Sequence, residues 1–374
     1  MKIFCFLDEV YSYNGENYIS KYNSGRFLLN LKDKYELIFS FPVTDSNNDK
    51  IATKIPKEVQ VVPLPYWNSI VNYYKNFNVL KKEITRIVEK EIDNCDVVWV
   101  RLPSPVGNLI IEVAKRKNKK VICHFATDIL SAYKKYSGIK KYFAYLLGKY
   151  INVSTKKKID NYQDIEILCT GQHLEDEYLH PTTKFFIDIE SNIDFKSNNE
   201  INNNFIYVGR LMRSKGIEVL IEAWKMCNIE NSYLYIVGHG EMENYVIEQS
   251  KKYSNIKYLG FVTGEDLKGI YNKCDTLIMP TTTFPEGFPR VIVEAWCSGL
   301  AVISTDVGGI KGIGKNNENL LFVEAGNLEQ LKESILKVYK NDELLFNLQN
   351  GAKKSANIIN KNAMIKLVSD CIEK

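Results

Sequence analysis

Short apolar runs recur along the chain and alternate with longer stretches of mixed character. In the first half these runs are KIFCFLDE, YELIFSF, VQVVPL, CDVVWVRL, KVICHF and IEILCT. In the second half they are FIYVG, YLYIVG, KYLGF, TLIMP, AVIST and LLFV. Near-continuous apolar runs of this length predict strands buried on both faces, as in parallel sheets. Helical stretches separate them, so the order of elements predicts an α/β protein. The polar segment SNIDFKSNNEINNN, Ser191 to Asn204, divides the two series and predicts an interdomain linker.

The segment from Leu277 to Gly299, LIMPTTTFPEGFPRVIVEAWCSG, carries the most chemistry. Its apolar start predicts a buried strand that ends at Pro280. A polar loop with Glu286 and Gly287 follows, and then a helix with Pro289 at its first position, where the missing N–H costs nothing. Gly299 is placed to end that helix. Glu286 therefore sits at the mouth of a helix N-terminus, where free N–H groups and the macrodipole attract anions. Glu294 lies about one and a half turns inside. Arg290 and Glu294 are four apart and also suit a plain surface ion pair. Against that reading, Val291, Ile292, Val293, Ala295, Trp296 and Cys297 make the helix apolar nearly all round, and a buried carboxylate needs partners.

A second segment, NNFIYVGRLMRSKGIEVLIEAW, predicts a strand from Phe205 to Val208, a basic loop with Arg210, Arg213 and Lys215, and an amphipathic helix after Gly216. Arginine can fork two oxygens and lysine adds a point charge, so such a loop suits a diphosphate.

The two segments resemble the E-x7-E and G-R-x(n)-K-G motifs of retaining glycosyltransferases with the GT-B fold, in the pattern of glycosyltransferase family four. The resemblance implies two Rossmann-like, doubly wound parallel-sheet domains facing a central cleft. It implies that Glu286 contacts the transferred sugar, that Glu294 holds the ribose, and that the Gly287–Phe288 backbone faces sugar and diphosphate. Arg210 and Lys215 would hold the diphosphate. YLYIVGHGEME adds Gly238-His239-Gly240 after a strand, with room for backbone to approach a ligand, and His239 reads as a polar loop residue. Phe261-Val262-Thr263 would lie against the base. Thr263 and Asp266 form a capping-box pattern. The family's usual Pro-Glu and Asn-Gly are replaced by Lys311-Gly312 and Glu318-Asn319.

Composition agrees with a two-domain globular enzyme. The chain has 374 residues, 45% hydrophobic and 25% charged, with a net charge of +4. That charge is too mild for a nucleic-acid partner. Eight scattered cysteines without a C-x-x-C pair read as reduced, buried residues of a cytoplasmic protein, and no metal-ligand spacing appears. The apolar start, Ile3 to Leu7, is too short for an export signal, and no run is long enough to span a bilayer. The expected domains are residues 1–195, with a return helix over 355–374 implied by the resemblance, and residues 203–354 for the nucleotide sugar.

The first half would bind the acceptor. Gly15, in VYSYNGENYISKYNSG, is a candidate for a glycine loop near the donor phosphate, with a plain turn as its other reading. No G-x-G-x-x-G follows the first strand, against a nicotinamide site. Arg101 has two readings, contact with acceptor or phosphate and a pair with a carboxylate. His124, near the end of KVICHF, corresponds to a sugar-contacting histidine of many family members, with a structural histidine as the alternative. Asp128 is a second acceptor-side candidate. From Ser131 to Ile159 there is no acidic residue, and lysines alternate with Tyr, Phe and Leu. This suits contact with an anionic membrane surface, or a helix with solvated lysines packed on its own domain.

The resemblance implies retaining, metal-independent transfer of a sugar from a nucleotide diphosphate sugar to a saccharide or lipid-linked acceptor, in bacterial capsule or exopolysaccharide synthesis. The protein would be cytoplasmic or peripheral on the membrane, with no cofactor. The alternatives are a nucleotide-sugar epimerase of similar fold and a non-catalytic membrane-surface adaptor.

Overall fold

The computed structural model describes residues 1–22, 24–45, 53–67, 69–130, 133, 137–195, 201–282 and 288–374. The chain forms two compact units, Met1–Glu190 with Ile365–Lys374, and Ser191–Met364. The polar segment expected as linker begins inside the second unit. There the Asp194 N–H donates to the Cys297 carbonyl at 2.8 Å, and the Asp194 carboxylate pairs with Lys268 at 2.7 Å.

The first unit is built on seven parallel strands. Their spatial order is Gln60–Leu64, Glu36–Thr44, Lys2–Phe6, Val97–Leu102, Lys120–Phe125, Ile165–Cys169 and Thr183–Phe185. Counted along the chain that order is 3-2-1-4-5-6-7, the doubly wound pattern. Phe4, Cys5, Phe6, Val98, Val100, Cys123 and Ile167 are fully buried, because helices cover both faces and leave no place for polar alternation. Pairing sets Arg101 opposite His124. The helix Pro105–Arg116 starts on Ser104, whose hydroxyl accepts from the Gly107 N–H at 3.2 Å, with proline at its first position.

Three small strands extend this sheet and were not legible as strands. Tyr11–Tyr13 and Tyr18–Ser20 form an antiparallel hairpin, and Thr53–Lys54 pairs with its second arm. Gly15 (φ +87°) is the first central residue of the hairpin turn. The Asn14 and Asn17 backbones close that turn at 3.2 Å, and the Asn14 side chain accepts from the Asn17 N–H at 2.8 Å. This is the primed-turn position that glycine fills at no steric cost, so Gly15 belongs to a turn rather than to an extended glycine loop.

In the second unit six parallel strands lie in the order Ile256–Tyr258, Leu234–Val237, Phe205–Val208, Thr276–Met279, Ala301–Thr305 and Leu321–Val323. Along the chain this is 3-2-1-4-5-6. Winding reverses between Phe205–Val208 and Thr276–Met279, the point where doubly wound sheets receive ligands at their carboxyl edge. Trp224 and Trp296, both fully buried, sit in the helices Ile217–Cys227 and Arg290–Cys297.

The helix after the glutamate loop begins at Arg290, one residue later than expected. Pro289 is its cap, with an extended ψ of 112° that keeps it outside the helix. At the other end the Gly299 N–H bonds to Trp296 and the Leu300 N–H to Ala295, each at 2.9 Å, with Gly299 at φ +77°. That is a Schellman close, as the glycine predicted. The capping box at Thr263 does not form: the hydroxyl makes no cap bond, and Gly264 enters at φ +63°, outside helical geometry.

All eight cysteines are buried free thiols. Burial pushes Cys5, Cys123, Cys169, Cys227 and Cys297 well above the usual thiol range. Among the described residues no helix is long and apolar enough to cross a membrane.

Candidate active site

Two loops meet at the switch point of the second unit, and glycines set how closely they meet. The strand Phe205–Val208 runs into Gly209 and Arg210, and the Tyr207 hydroxyl holds the Arg210 carbonyl at 2.9 Å. A single turn of 3-10 helix, Arg213–Lys215, then closes on Gly216 in the left-handed region (φ +72°). A Cβ at Gly216 would lie 1.8 Å from the Pro280 carbonyl oxygen, so only glycine lets the two loops touch. The contact is reinforced where the Thr282 N–H donates to the Ser214 carbonyl at 3.0 Å. On the other side, a Cβ at Gly238 (φ +139°) would fall 1.9 Å from the Gly209 oxygen, and one at Gly240 would fall 2.3 Å from the Leu211 oxygen. The backbone that comes close to Gly238 in the fold is that of Gly209.

The arginine and lysine motif is thus fixed between two neighbouring strand ends. Arg210 is exposed and Lys215 half-buried, while Arg213 turns to Glu218 at 3.3 Å. Thr281 and Thr305 bind the next strand end to the same edge, the Thr305 hydroxyl donating to the Thr281 carbonyl at 2.7 Å.

Glu294 is half-buried on the helix Arg290–Cys297 and accepts from the Tyr271 hydroxyl at 3.4 Å. Tyr271 is buried, and burial first, then the Glu294 charge, push its phenol well above the usual range. It stays a proton donor to the carboxylate at any ordinary pH. Sequence reading missed Tyr271, which ends the helix Gly264–Tyr271 as one tyrosine among 23. The Trp296 indole N–H donates to the Asn319 carbonyl at 3.0 Å, and the Asn319 side chain bonds Lys315, Ile313 and Ser355. Asn319, where the family pattern departs, thus anchors the glutamate helix from behind. Phe288 is a core residue against Trp296, with ring centroids 6.3 Å apart, so only its backbone is available to a ligand. Val262 is half-buried beyond the strand Ile256–Tyr258, and His239 stacks edge-on to exposed Phe261 at 5.2 Å. Glu286 and Gly287 lie outside the described residues.

The first unit gathers a separate polar group at its strand ends. Arg101 pairs with Asp188 at 3.8 Å, the second of its two readings, and both are mostly buried. His124 is buried, with its ring edge-on to Trp99 and Phe186 and its Nε2 3.2 Å from the Thr170 hydroxyl. Burial, and then the Arg101 charge, hold its pKa well below the usual value, so the imidazole is neutral. Asp8, absent from the sequence candidates, has its carboxyl pushed up to about 6 by burial, against the pull of Ser104 and Arg101. Asp128 accepts from the Leu130 N–H at 2.8 Å and so shapes its own turn.

Residues 188–355 match the sequence profile of the glycosyl transferases group 1 family. The chain is 33% identical over 153 residues to an uncharacterized glycosyltransferase of Methanocaldococcus jannaschii, covering 40% of this chain and 39% of the relative. It is 30% identical over 183 residues to the capsular polysaccharide biosynthesis glycosyltransferase CapM of Staphylococcus aureus, covering 46% of this chain and 47% of the relative. The chain thus spans less than half the length of these relatives. Among solved structures it resembles Anabaena HepE in complex with UDP, at TM-score 0.73 and 15% identity over 99% of both chains. That likeness carries the fold, two parallel-sheet α/β units of the GT-B kind. The matched residues include both motifs and the switch-point loops; Asp8, Arg101 and His124 lie outside them.

Proposed function

We propose that this protein transfers a sugar from a nucleotide diphosphate sugar to a saccharide or lipid-linked saccharide acceptor, in the synthesis of a bacterial surface polysaccharide. The observation that carries the reading is the Gly216–Pro280 contact, which joins the Arg210–Lys215 loop to the loop leading into the Glu294 helix at a topological switch point. HepE, whose fold this chain shares, was solved with UDP, and CapM is named for capsular polysaccharide.

Departure of a diphosphate leaves positive charge on the anomeric carbon and negative charge on the leaving oxygens. Arg210, Lys215 and the N-terminal amides of the glutamate helix meet that negative charge with fixed dipoles and cations, which is why we propose that no metal is needed. Glu286 orients the sugar hydroxyls, and Glu294, held by Tyr271, grips the ribose. We assign acceptor recognition to the first unit, with Arg101 and Asp128 as its candidates, contact with the transferred sugar to His124, and retention of configuration to same-face attack.

Calorimetric titration with uridine, guanosine and adenosine diphosphates tests the donor site. One of them should bind, and Arg210→Ala, Lys215→Ala and Glu294→Gln should each weaken it about 10- to 100-fold, the value of a charged hydrogen bond. Unchanged affinity in all three variants overturns the assignment. Incubating a bound sugar nucleotide without acceptor and finding an isomer would make the protein an epimerase instead. Product anomer by NMR, and turnover in a strong chelator, test retention and metal independence.

A further inference from the structure

We infer that the helix Gly138–Asp160 docks the first unit on an anionic lipid bilayer, lying in the interface without crossing it. This goes beyond the transfer reading and does not depend on it.

The helix is apolar on two opposite sides, and only one of them is covered. Gly148, Ile151, Asn152, Thr155 and Ile159 are buried. They are held down by the Asn108 amide on the Thr155 hydroxyl at 2.9 Å and by the Asn152 amide on Glu177 at 2.7 Å. At about 100° per residue, Ile139, Tyr142, Phe143, Leu146, Tyr150 and Val153 fall on the opposite side. All six are exposed: Ile139 by 77%, Phe143 by 64%, Tyr142 and Tyr150 by 61% each. Single exposed apolar residues need no explanation, but a continuous stripe over four turns does. The ring of Tyr150 also reaches Tyr74 at 6.2 Å, so the patch continues onto the helix Ile70–Lys75, where Val71 is 55% exposed.

Charge decides what covers the stripe. The helix carries six lysines and one acidic residue, Asp160 at its end. Lys140 and Lys158 flank the stripe on one side, and Lys149 and Lys156 flank it on the other, where long stems run along apolar surface and lift their ammonium groups to headgroup height. Lys156 and Lys158 pair with Glu177 and Glu112. Among the described residues Lys140, Lys141 and Lys149 have no ion-pair partner. A second copy of the chain pairing through the same stripe would set lysine against lysine. A bilayer with anionic headgroups offers the complementary charge along with an apolar layer for Phe143 and Ile139.

Flotation with vesicles of phosphatidylcholine, and of phosphatidylcholine doped with phosphatidylglycerol, tests the docking. The protein should partition about 10-fold more strongly onto the anionic vesicles, and less so as salt rises. Ile139→Ser with Phe143→Ser should lower that partition about 10-fold by removing buried apolar area, and Lys140→Glu with Lys149→Glu should do the same by reversing charge. All these side chains are exposed, so the variants should keep the wild-type melting temperature and nucleotide affinity, which separates this test from that of the transfer reading. No vesicle binding at low salt overturns the inference. So does equal binding to both vesicle types, or a dimer in sedimentation equilibrium that the serine pair dissolves.

Discussion

In the second unit the candidate residues ride on loops whose backbones touch, whereas in the first they are side chains gathered from strand ends far apart in the chain. Arg210 and Lys215 are set by Gly209 and Gly216, and the glycines are set by contact with the Pro280 loop and with Gly238. Asp8, Arg101, His124 and Asp188 come from four separate segments and meet through burial and charge. A site of the first kind tolerates little change in backbone. A polar group of the second kind is tuned by how much water it loses. The two should fail differently when perturbed.

The largest effect is expected at the backbone contact. Gly216→Ala must displace the Pro280 carbonyl and strain a left-handed residue, at a cost on the order of 3 kcal/mol or more. Differential scanning calorimetry should show the second unit melting roughly 6–12 °C lower, with nucleotide affinity lost. A variant that melts and binds like wild type would remove the role given to that contact.

Asp8→Asn should act in the opposite direction and depend on pH. The folded carboxyl titrates at about 6 against an ordinary 3.8, so the unfolded chain ionises first. Its cost is absent below about pH 4, grows as pH rises to about 6, and then stays full, at no more than about 3 kcal/mol. Asparagine keeps the neutral shape, so the melting temperature should rise by about 5 °C near pH 7.5 and remain unchanged near pH 4. An equal gain at both values would mean that burial does not raise the Asp8 carboxyl.

Lys156→Ala is the smallest perturbation. Its pair with Glu177 spans 2.5 Å but is about one third exposed on each side, so stability should change by about 0.5 kcal/mol or less. Calorimetric affinity for the nucleotide should not move. A large loss there would break the separation between the donor loops and the basic helix.

The same contrast explains what was legible. The main parallel strands of both units stand out as apolar runs, because burial on both faces leaves no alternation to misread; the edge strand Thr183–Phe185, only half-buried, does not. The switch-point motifs were legible because their spacing is local: Arg210 to Lys215 spans one loop. Tyr271 was not, since nothing in its neighbours announces that its hydroxyl meets Glu294, 23 positions away. Asp8 was hidden for the same reason, its value being set by Ser104 and Arg101 nearly a hundred residues on. At Gly15 the glycine loop and the plain turn both stood open, although Tyr-Ser-Tyr and Tyr-Ile-Ser flank a turn-forming stretch as hairpin arms do. The glutamate helix was one residue off at its start, where proline suits either the cap or the first turn.

The buried thiols turn the molecule into its own probe of breathing. Cys5, Cys123 and Cys169 lie in strands of the first sheet, Cys227 and Cys297 in helices of the second unit, and Cys371 in the terminal helix Lys361–Glu373. An alkylating reagent can reach such sulfurs only when the surrounding element opens, and protonation slows the reaction further. The order in which they acquire label would therefore rank each sheet's opening events without any residue having to be introduced.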